Sequence, residues 1–200
     1  MEKEKPYFLI VAGPTGSGKT RLPNIVKNYL NIKNKNATEN IIIDEYVERN
    51  PYFRNAVNDF IKYKYKSVGN SEENILKDLL NPTKSIIKFY NKTYWIARRK
   101  THCETGKILK KGESFNCSNL VAQKMRNGFR EGKNIIFEST GLNFPFWIFK
   151  QNVNILQNYK LIIAWSVVDI CELINRVKKR AYVSYSKYMI NNLTELPPRL

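Results

Sequence analysis

Acidic residues are scarce in this 200-residue chain: 17 Asp and Glu stand against 34 Lys and Arg, a formal net charge of +17. That imbalance disfavours cationic partners and points to a polyanionic one, such as nucleic acid or an acidic membrane surface. Against this, many of the lysines stand singly among asparagines, the pattern of a solvated basic surface. Cysteine is also sparse. Cys103, Cys117 and Cys171 form no C-x-x-C pair and leave an odd count, so neither a zinc site nor a disulfide framework is expected. The single histidine, His102, makes too small a cluster with Cys103 to hold a metal. Long apolar runs are missing too. The first, Tyr7–Ala12, is six residues and too short for a membrane span or a signal peptide. An intracellular, reducing, cytoplasmic setting without membrane association is therefore expected. Hydrophobic content of 42% and aromatic content of 12% exclude global disorder. The length suits one α/β domain, and no internal repeat is present.

What is present is organised around Gly13-Pro14-Thr15-Gly16-Ser17-Gly18-Lys19-Thr20, directly after that first apolar run. The stretch satisfies G-x-x-x-x-G-K-[ST], the Walker A phosphate loop, where a strand should hand over to a helix. Glycines let the backbone turn and leave no side chains between its amides and a phosphate. Those amides and the following helix N-terminus form an anion-binding concavity. Lys19 is expected to reach the β/γ-phosphates of ATP, and the Thr20 hydroxyl to hold Mg²⁺.

Along the chain, Tyr7–Ala12 reads as a central parallel strand, followed by a helix from about Gly18 to Leu30 with Pro23 in its first turn. Ile41-Ile42-Ile43 reads as a second buried strand ending at Asp44-Glu45. From Asn50-Pro51 to about Asn119 the chain is mostly helical: Phe53 to Tyr65, a short helix capped by Ser71, and one begun at Thr83 with Ile86, Tyr90, Tyr94 and Ala97 on one face. Asn116 to Arg130 is a helix with Val121, Met125 and Phe129 inward. Asn134–Phe137, ending at Glu138, is the third strand. Asn143 caps and Pro145 opens a helix reaching Asn158. Leu161 to Val168 is the fourth strand. Asp169 caps a helix crowded with Arg176, Lys178, Lys179 and Arg180, and the tail from Ala181 reads as one more helix. The expected fold is α/β: a three-layer P-loop NTPase arrangement with a parallel sheet of four to five strands and a largely helical insertion.

The phosphate loop, Asp44, Glu138 and Asp169 all fall at carboxyl ends of strands, where such folds bind ligands. Asp44 is the expected acceptor of a proton from a substrate hydroxyl, with Glu45 as the fallback. Glu138 is expected to hold Mg²⁺ through water or to fix the acceptor, with Glu45, Thr140 and Asn143 as further acceptor-binding residues. Arg176 and Arg180, four apart on one helical face, suit a lid that stabilises the charge of a transferring phosphoryl group.

At these positions the sequence resembles the zeta-toxin and polynucleotide-kinase branch of P-loop kinases. The resemblance rests on Gly13–Thr20, Ile43-Asp44-Glu45-Tyr46, Asn134–Glu138 with Thr140, and Glu172-Leu173-Ile174-Asn175-Arg176-Val177-Lys178-Lys179-Arg180. It covers roughly residues 5–50 and 115–190. Zeta toxins phosphorylate UDP-N-acetylglucosamine; their catalytic Asp followed seven residues on by Pro is similar to Asp44 and Pro51, and their Glu-Gly-Thr to Glu138-Ser139-Thr140. Polynucleotide kinases carry an Asp-Asp-Tyr similar to Asp44-Glu45-Tyr46, and an Asp-Thr-Asn-Leu-Asn-like loop similar to the stretch from Glu138 to Asn143. The chain departs from both. Leu142 and Ala122 stand where zeta toxins carry an arginine and a sugar-binding glutamate, and Val47 where polynucleotide kinases carry an arginine. The resemblance implies one kinase domain over 1–200, with an insertion at about 60–115 and a lid at about 176–190. It implies transfer of the ATP γ-phosphoryl group to a hydroxyl of a nucleotide-sugar, nucleotide or polynucleotide, and brings an inhibitory protein partner into view.

The insertion belongs to neither relative. It sets Tyr63, Tyr65, Tyr90, Tyr94 and Trp95 among lysines and arginines, a composition suited to phosphate contacts with base stacking. Tyr90 and Tyr94 share the apolar stripe and are expected in the helical core. Three other classes remain open: an ATP-binding nucleic-acid-binding module without kinase activity, a tRNA prenyltransferase-like enzyme, and a toxin-like interaction protein silenced by a partner that occludes the ATP site. Prenyltransferases share a Gly-Pro-Thr-x-Ser-Gly-Lys-Thr loop, but their Asp-Ser-x-Gln-Val-Tyr segment differs from Asp44-Glu45-Tyr46-Val47.

Overall fold

β1 (Tyr7–Ala12) is apolar at every position and buried at every position, because it lies in the middle of a parallel sheet ordered β2-β3-β1-β4. This is seen in a computed structural model that describes residues 5–32, 36–66, 77–78, 81–140 and 146–191. Contacts divide the chain into two compact units, Met1–Ile42 with Val121–Ile174, and Ile43–Leu120 with Asn175–Leu200.

The first unit holds the sheet: β1, β2 (Thr38–Ile42), β3 (Asn134–Ser139) and β4 (Lys160–Trp165). β1 pairs with β3 from Phe8↔Ile135 to Ala12↔Ser139, and with β4 from Tyr7↔Lys160 to Ala12↔Trp165. Alternation then assigns the faces. Tyr7, Leu9 and Val11 pack with Leu22 and Val26 of α1 (Leu22–Tyr29). Phe8 faces the other way, edge-on to Phe129 of α5 (Cys117–Arg130) at 5.2 Å and tilted against Phe149 of α6 (Phe146–Leu156) at 6.2 Å. Helices on both faces make the three-layer α/β arrangement expected from the sequence.

Two buried polar groups tie the lower end together. Asn134 accepts a hydrogen bond from the Tyr7 amide (3.1 Å) and donates to the Asn36 carbonyl (2.9 Å). The Tyr159 hydroxyl donates among the carbonyls of Gly128, Phe129 and Lys133, nearest Lys133 at 2.9 Å, and burial pushes its pKa up to about 12. The unfolded chain loses this proton near 10, so above that pH it binds fewer protons than the folded chain and stability falls between pH 10 and about 12. Tyr159→Phe is expected to cost about 1–2 kcal/mol at neutral pH by leaving those carbonyls without their donor. It should also flatten the alkaline decline, which denaturant melts at pH 7, 10 and 11 would show.

Several elements differ from expectation. β2 ends at Ile42 and only Ile41 is buried, because β2 is an edge strand. Ile43, Asp44 and Glu45 instead open α2 (Ile43–Arg49). Two carboxylates in a first turn complement the helix dipole and favour that early start. β4 stops at Trp165, short of Val168. After Asp169, whose carboxylate accepts from the Cys171 and Glu172 amides (2.8 and 3.2 Å), one continuous helix, α7 (Ile170–Asn191), runs where two were expected. Ser71, Asn143, Pro145 and the chain after Asn191 lie outside the described residues.

The second unit is helical. α3 (Pro51–Lys66) and α4 (Lys84–Arg99) pack through Phe60 stacked on Phe89 (4.1 Å) and a core of Val47, Phe53, Val57, Ile61, Ile86, Tyr90 and Ala97. Thr83 caps α4 by accepting from the Ile86 amide (3.4 Å). Asn50, fully buried, is a hub. Its amide donates to the Thr101 hydroxyl (3.1 Å) and to the His102 (3.2 Å) and Cys103 (3.1 Å) carbonyls, while its oxygen accepts from the Tyr52 amide (2.9 Å). Around this hub Cys103 and Cys117 form a disulfide, correcting the expectation that none would. The loop after α4 doubles back through an antiparallel bridge between Thr101 and Ile108 and a Cys103 amide to Phe115 carbonyl bond (2.9 Å). A fold-back, not a local spacing, brings the two cysteines together, so no sequence signature announces it. Thiol titration of the denatured, unreduced protein should count one thiol, the exposed Cys171, and three after reduction. Disulfides are uncommon where glutathione keeps thiols reduced, so the same count bears on the reducing setting expected above. No helix among the described residues is long and apolar enough to cross a membrane.

Candidate nucleotide-binding site

The chain leaves β1 directly into the phosphate loop. Gly13 stands at φ +150, and a Cβ there would sit 2.8 Å from the Ser17 Oγ and 3.0 Å from the Ser166 Cβ. Only glycine fits. Gly18, at φ 85, turns the chain into a 3-10 turn (Lys19–Arg21) that leads into α1. Ser166, just past β4, braces the loop from the side: its amide donates to Ala12 (2.8 Å) and its hydroxyl to the Ser17 carbonyl (2.6 Å). Pattern reading missed Ser166, because nothing in a serine after an apolar run announces a role.

Lys19 is buried, although it is the loop's cation. Its Nζ donates to the carbonyls of Gly13 and Pro14, both at 2.8 Å, and lies 3.8 Å from Glu138 Oε1. The register explains the meeting: Glu138 pairs with Val11 of β1 and with Ile42 of β2, so it stands at the carboxyl edge of the sheet beside the loop. Thr140, exposed, follows it by two residues. Ser17 is 4% exposed, and among the described residues its Oγ has no hydrogen-bond partner. A glycine-lined turn, an inward cation and a buried hydroxyl lacking a partner fit the phosphates of a nucleoside triphosphate. Thr20, exposed within the turn, is the residue that would hold Mg²⁺ with phosphate oxygens and water. Among the described residues no cluster of three or more His, Cys, Asp or Glu supplies a separate metal cage.

In the second unit, Asp44 is partly buried in the first turn of α2, two residues past the end of β2. The Tyr94 hydroxyl donates to Asp44 Oδ1 at 2.5 Å, and Tyr94 is in turn set edge-on to Phe53 (6.4 Å). Helical spacing placed Tyr94 on the apolar stripe of α4, and it does pack there, but spacing carries no sign of the partner at its tip. Glu45 is exposed and pairs only loosely with Arg49 (3.8 Å, one turn on), an interaction worth little in water. Arg176 and Arg180 are exposed on α7. Asn143 lies outside the described residues.

A parallel α/β sheet with a glycine-built phosphate loop after its first strand defines the class. The comparisons narrow it. The family model described as "Zeta toxin" matches residues 1–85, a stretch that holds the phosphate loop, Asp44 and α3. Over that stretch the chain is similar to the zeta toxins. A solved chain from the PezAT chromosomal toxin-antitoxin system of the human pathogen Streptococcus pneumoniae aligns at 14% identity with a TM-score of 0.46, over 95% of this chain. This chain spans 57% of that one. No curated protein matches.

Proposed function

We propose that the chain is an ATP-dependent P-loop kinase of the zeta-toxin type. It transfers the γ-phosphoryl group to a hydroxyl of a nucleotide-sugar, nucleotide or polynucleotide. The observation that carries this is the phosphate loop itself, with Lys19 drawn inward beside Glu138 and Gly13 irreplaceable at the turn. In this reading residues 1–200 act as one kinase domain, with about 60–115 as an insertion and about 176–190 as a lid.

Phosphoryl transfer asks the protein chiefly for positioning and charge stabilisation. Gly13 to Thr20 cradle the phosphates, and Lys19 exchanges its two carbonyl contacts for β- and γ-phosphate oxygens. Thr20 would hold Mg²⁺, which would supply charge neutralisation at the phosphates. The acceptor oxygen forms a bond to the γ-phosphorus while the bond from that phosphorus to the β,γ-bridging oxygen breaks. The acceptor's proton passes to Asp44, and ADP leaves. Tyr94 holds the Asp44 carboxylate in one orientation, which a base needs if it is to meet a hydroxyl at hydrogen-bond distance. Glu138, Thr140 and Asn143 position the acceptor, and Arg176 and Arg180 close on the transferring group. An inhibitory protein partner belongs to the same reading, through the likeness to the zeta toxins.

The experiment is transfer from γ-labelled ATP to a panel: 5′-hydroxyl RNA and DNA, nucleosides, and UDP-N-acetylglucosamine. Label on one acceptor class establishes the kinase and names its substrate. Mg-ATP binding without transfer to any of them removes the kinase assignment.

A further inference from the structure

We infer that the outward face of α4 is a docking surface for single-stranded nucleic acid. The inference is independent of the kinase proposal and rests on a different part of the chain.

α4 has 16 residues and no acid among them. Its inward face is spent on the core, with Ile86, Tyr90, Thr93 and Ala97 buried. At about 100° per residue, Lys84, Lys88, Lys92 and Arg99 fall within one outward stripe, and all four are exposed. Successive cations stand about 6 Å apart along the axis, one per turn. The single break in the series is Trp95, on the same stripe and 53% exposed, with the Lys100 ammonium 5.5 Å from its ring centroid. A half-exposed tryptophan among cations is a stacking platform for a base, flanked by contacts for the backbone phosphates on either side.

The stripe is also uncompensated. Among the described residues no ion pair involves Lys84, Lys88, Lys92 or Arg99. Like charges one turn apart repel, and a polyanion laid along the stripe would relieve that repulsion. An anionic membrane fits less well. Surface helices dip an apolar face into lipid, and the apolar face of α4 is already buried against α3. A strand with both phosphates and exposed bases uses what the face offers.

The test is fluorescence anisotropy of the full chain with a short labelled single-stranded RNA and its DNA counterpart, without nucleotide, across a salt series. Lys88→Glu with Lys92→Glu should weaken binding by at least about tenfold and make the log-affinity against log-salt slope shallower by about 1.4, two contacts' worth. Lys150→Glu with Lys160→Glu, both exposed and in the other unit, makes the same change in net charge and should shift affinity less than about twofold. Trp95→Leu should weaken binding about fivefold or more. Unfolding midpoints identify any variant that fails to fold, in which case the glutamine pair replaces the glutamate pair. Equal losses from the two charge pairs would overturn the inference, as would unchanged affinity in Trp95→Leu. Capture of the protein by phosphatidylserine vesicles but not by oligonucleotide would overturn it in favour of a lipid surface.

Discussion

If the chain is the kinase proposed above, Lys19→Ala is expected to lower kcat for phosphoryl transfer by about 10²–10³ or more, the scale of losing a charged donor aimed at developing charge. Lys19 is the buried cation of the loop, held by two carbonyls and facing Glu138 at 3.8 Å, so its removal leaves the Glu138 carboxylate without that cation beside the proposed phosphate site. ATP affinity is expected to fall with it, which calorimetric titration reads directly. Lys19→Arg rescues poorly, because a planar guanidinium cannot occupy a site built for a compact ammonium. Transfer by Lys19→Ala at the wild-type rate would remove the phosphate loop from the mechanism.

The second large effect is at Asp44. Asp44→Asn keeps the shape of the side chain and an acceptor for the Tyr94 hydroxyl, yet removes the carboxylate proposed to take the proton. It should lower kcat by about 10²–10⁴ while ATP affinity stays within about twofold. Tyr94→Phe is the graded companion: a loss of about tenfold in kcat with an unchanged KM for ATP, since it frees the base's orientation without altering the phosphate loop. Single-turnover kinetics with the acceptor found in the panel separates these from effects on product release. Full activity in Asp44→Asn, with the loss appearing instead in Glu45→Gln, would move the base one residue along α2. Full activity in Tyr94→Phe with Asp44→Asn inactive would leave the base in place and make the tyrosine contact structural only.

The legible parts of this protein are those where a local pattern and its physical use coincide. Six apolar residues in a row have one stable place in a parallel sheet, its middle, and β1 lies there. Thr83 and Asp169 satisfy amides within their own first turns, so their caps are readable from neighbours in the chain. Boundaries failed where the environment intervened. Ile42 and Ile43 look like more of a buried strand, but an edge strand needs no such run, and two carboxylates pulled Ile43–Glu45 into a helix. The break expected near Ala181 does not occur, because no proline or glycine stands there and the helix continues.

By itself the sequence determined the phosphate loop, the parallel α/β class and the inward positions of the long helices, because glycine geometry, hydrophobic period and capping act over one to four residues. Tertiary structure decided the rest. The Lys19 to Glu138 approach spans 119 positions (138 − 19) and exists only because β3 pairs beside β1. The Tyr94 contact to Asp44, the Asn50 hub and the Cys103–Cys117 pair depend on how α4 and its return loop fold back onto α2 and α3. Such meetings are set by the packing of whole elements, and a side chain's type and spacing do not encode which distant group its tip will reach.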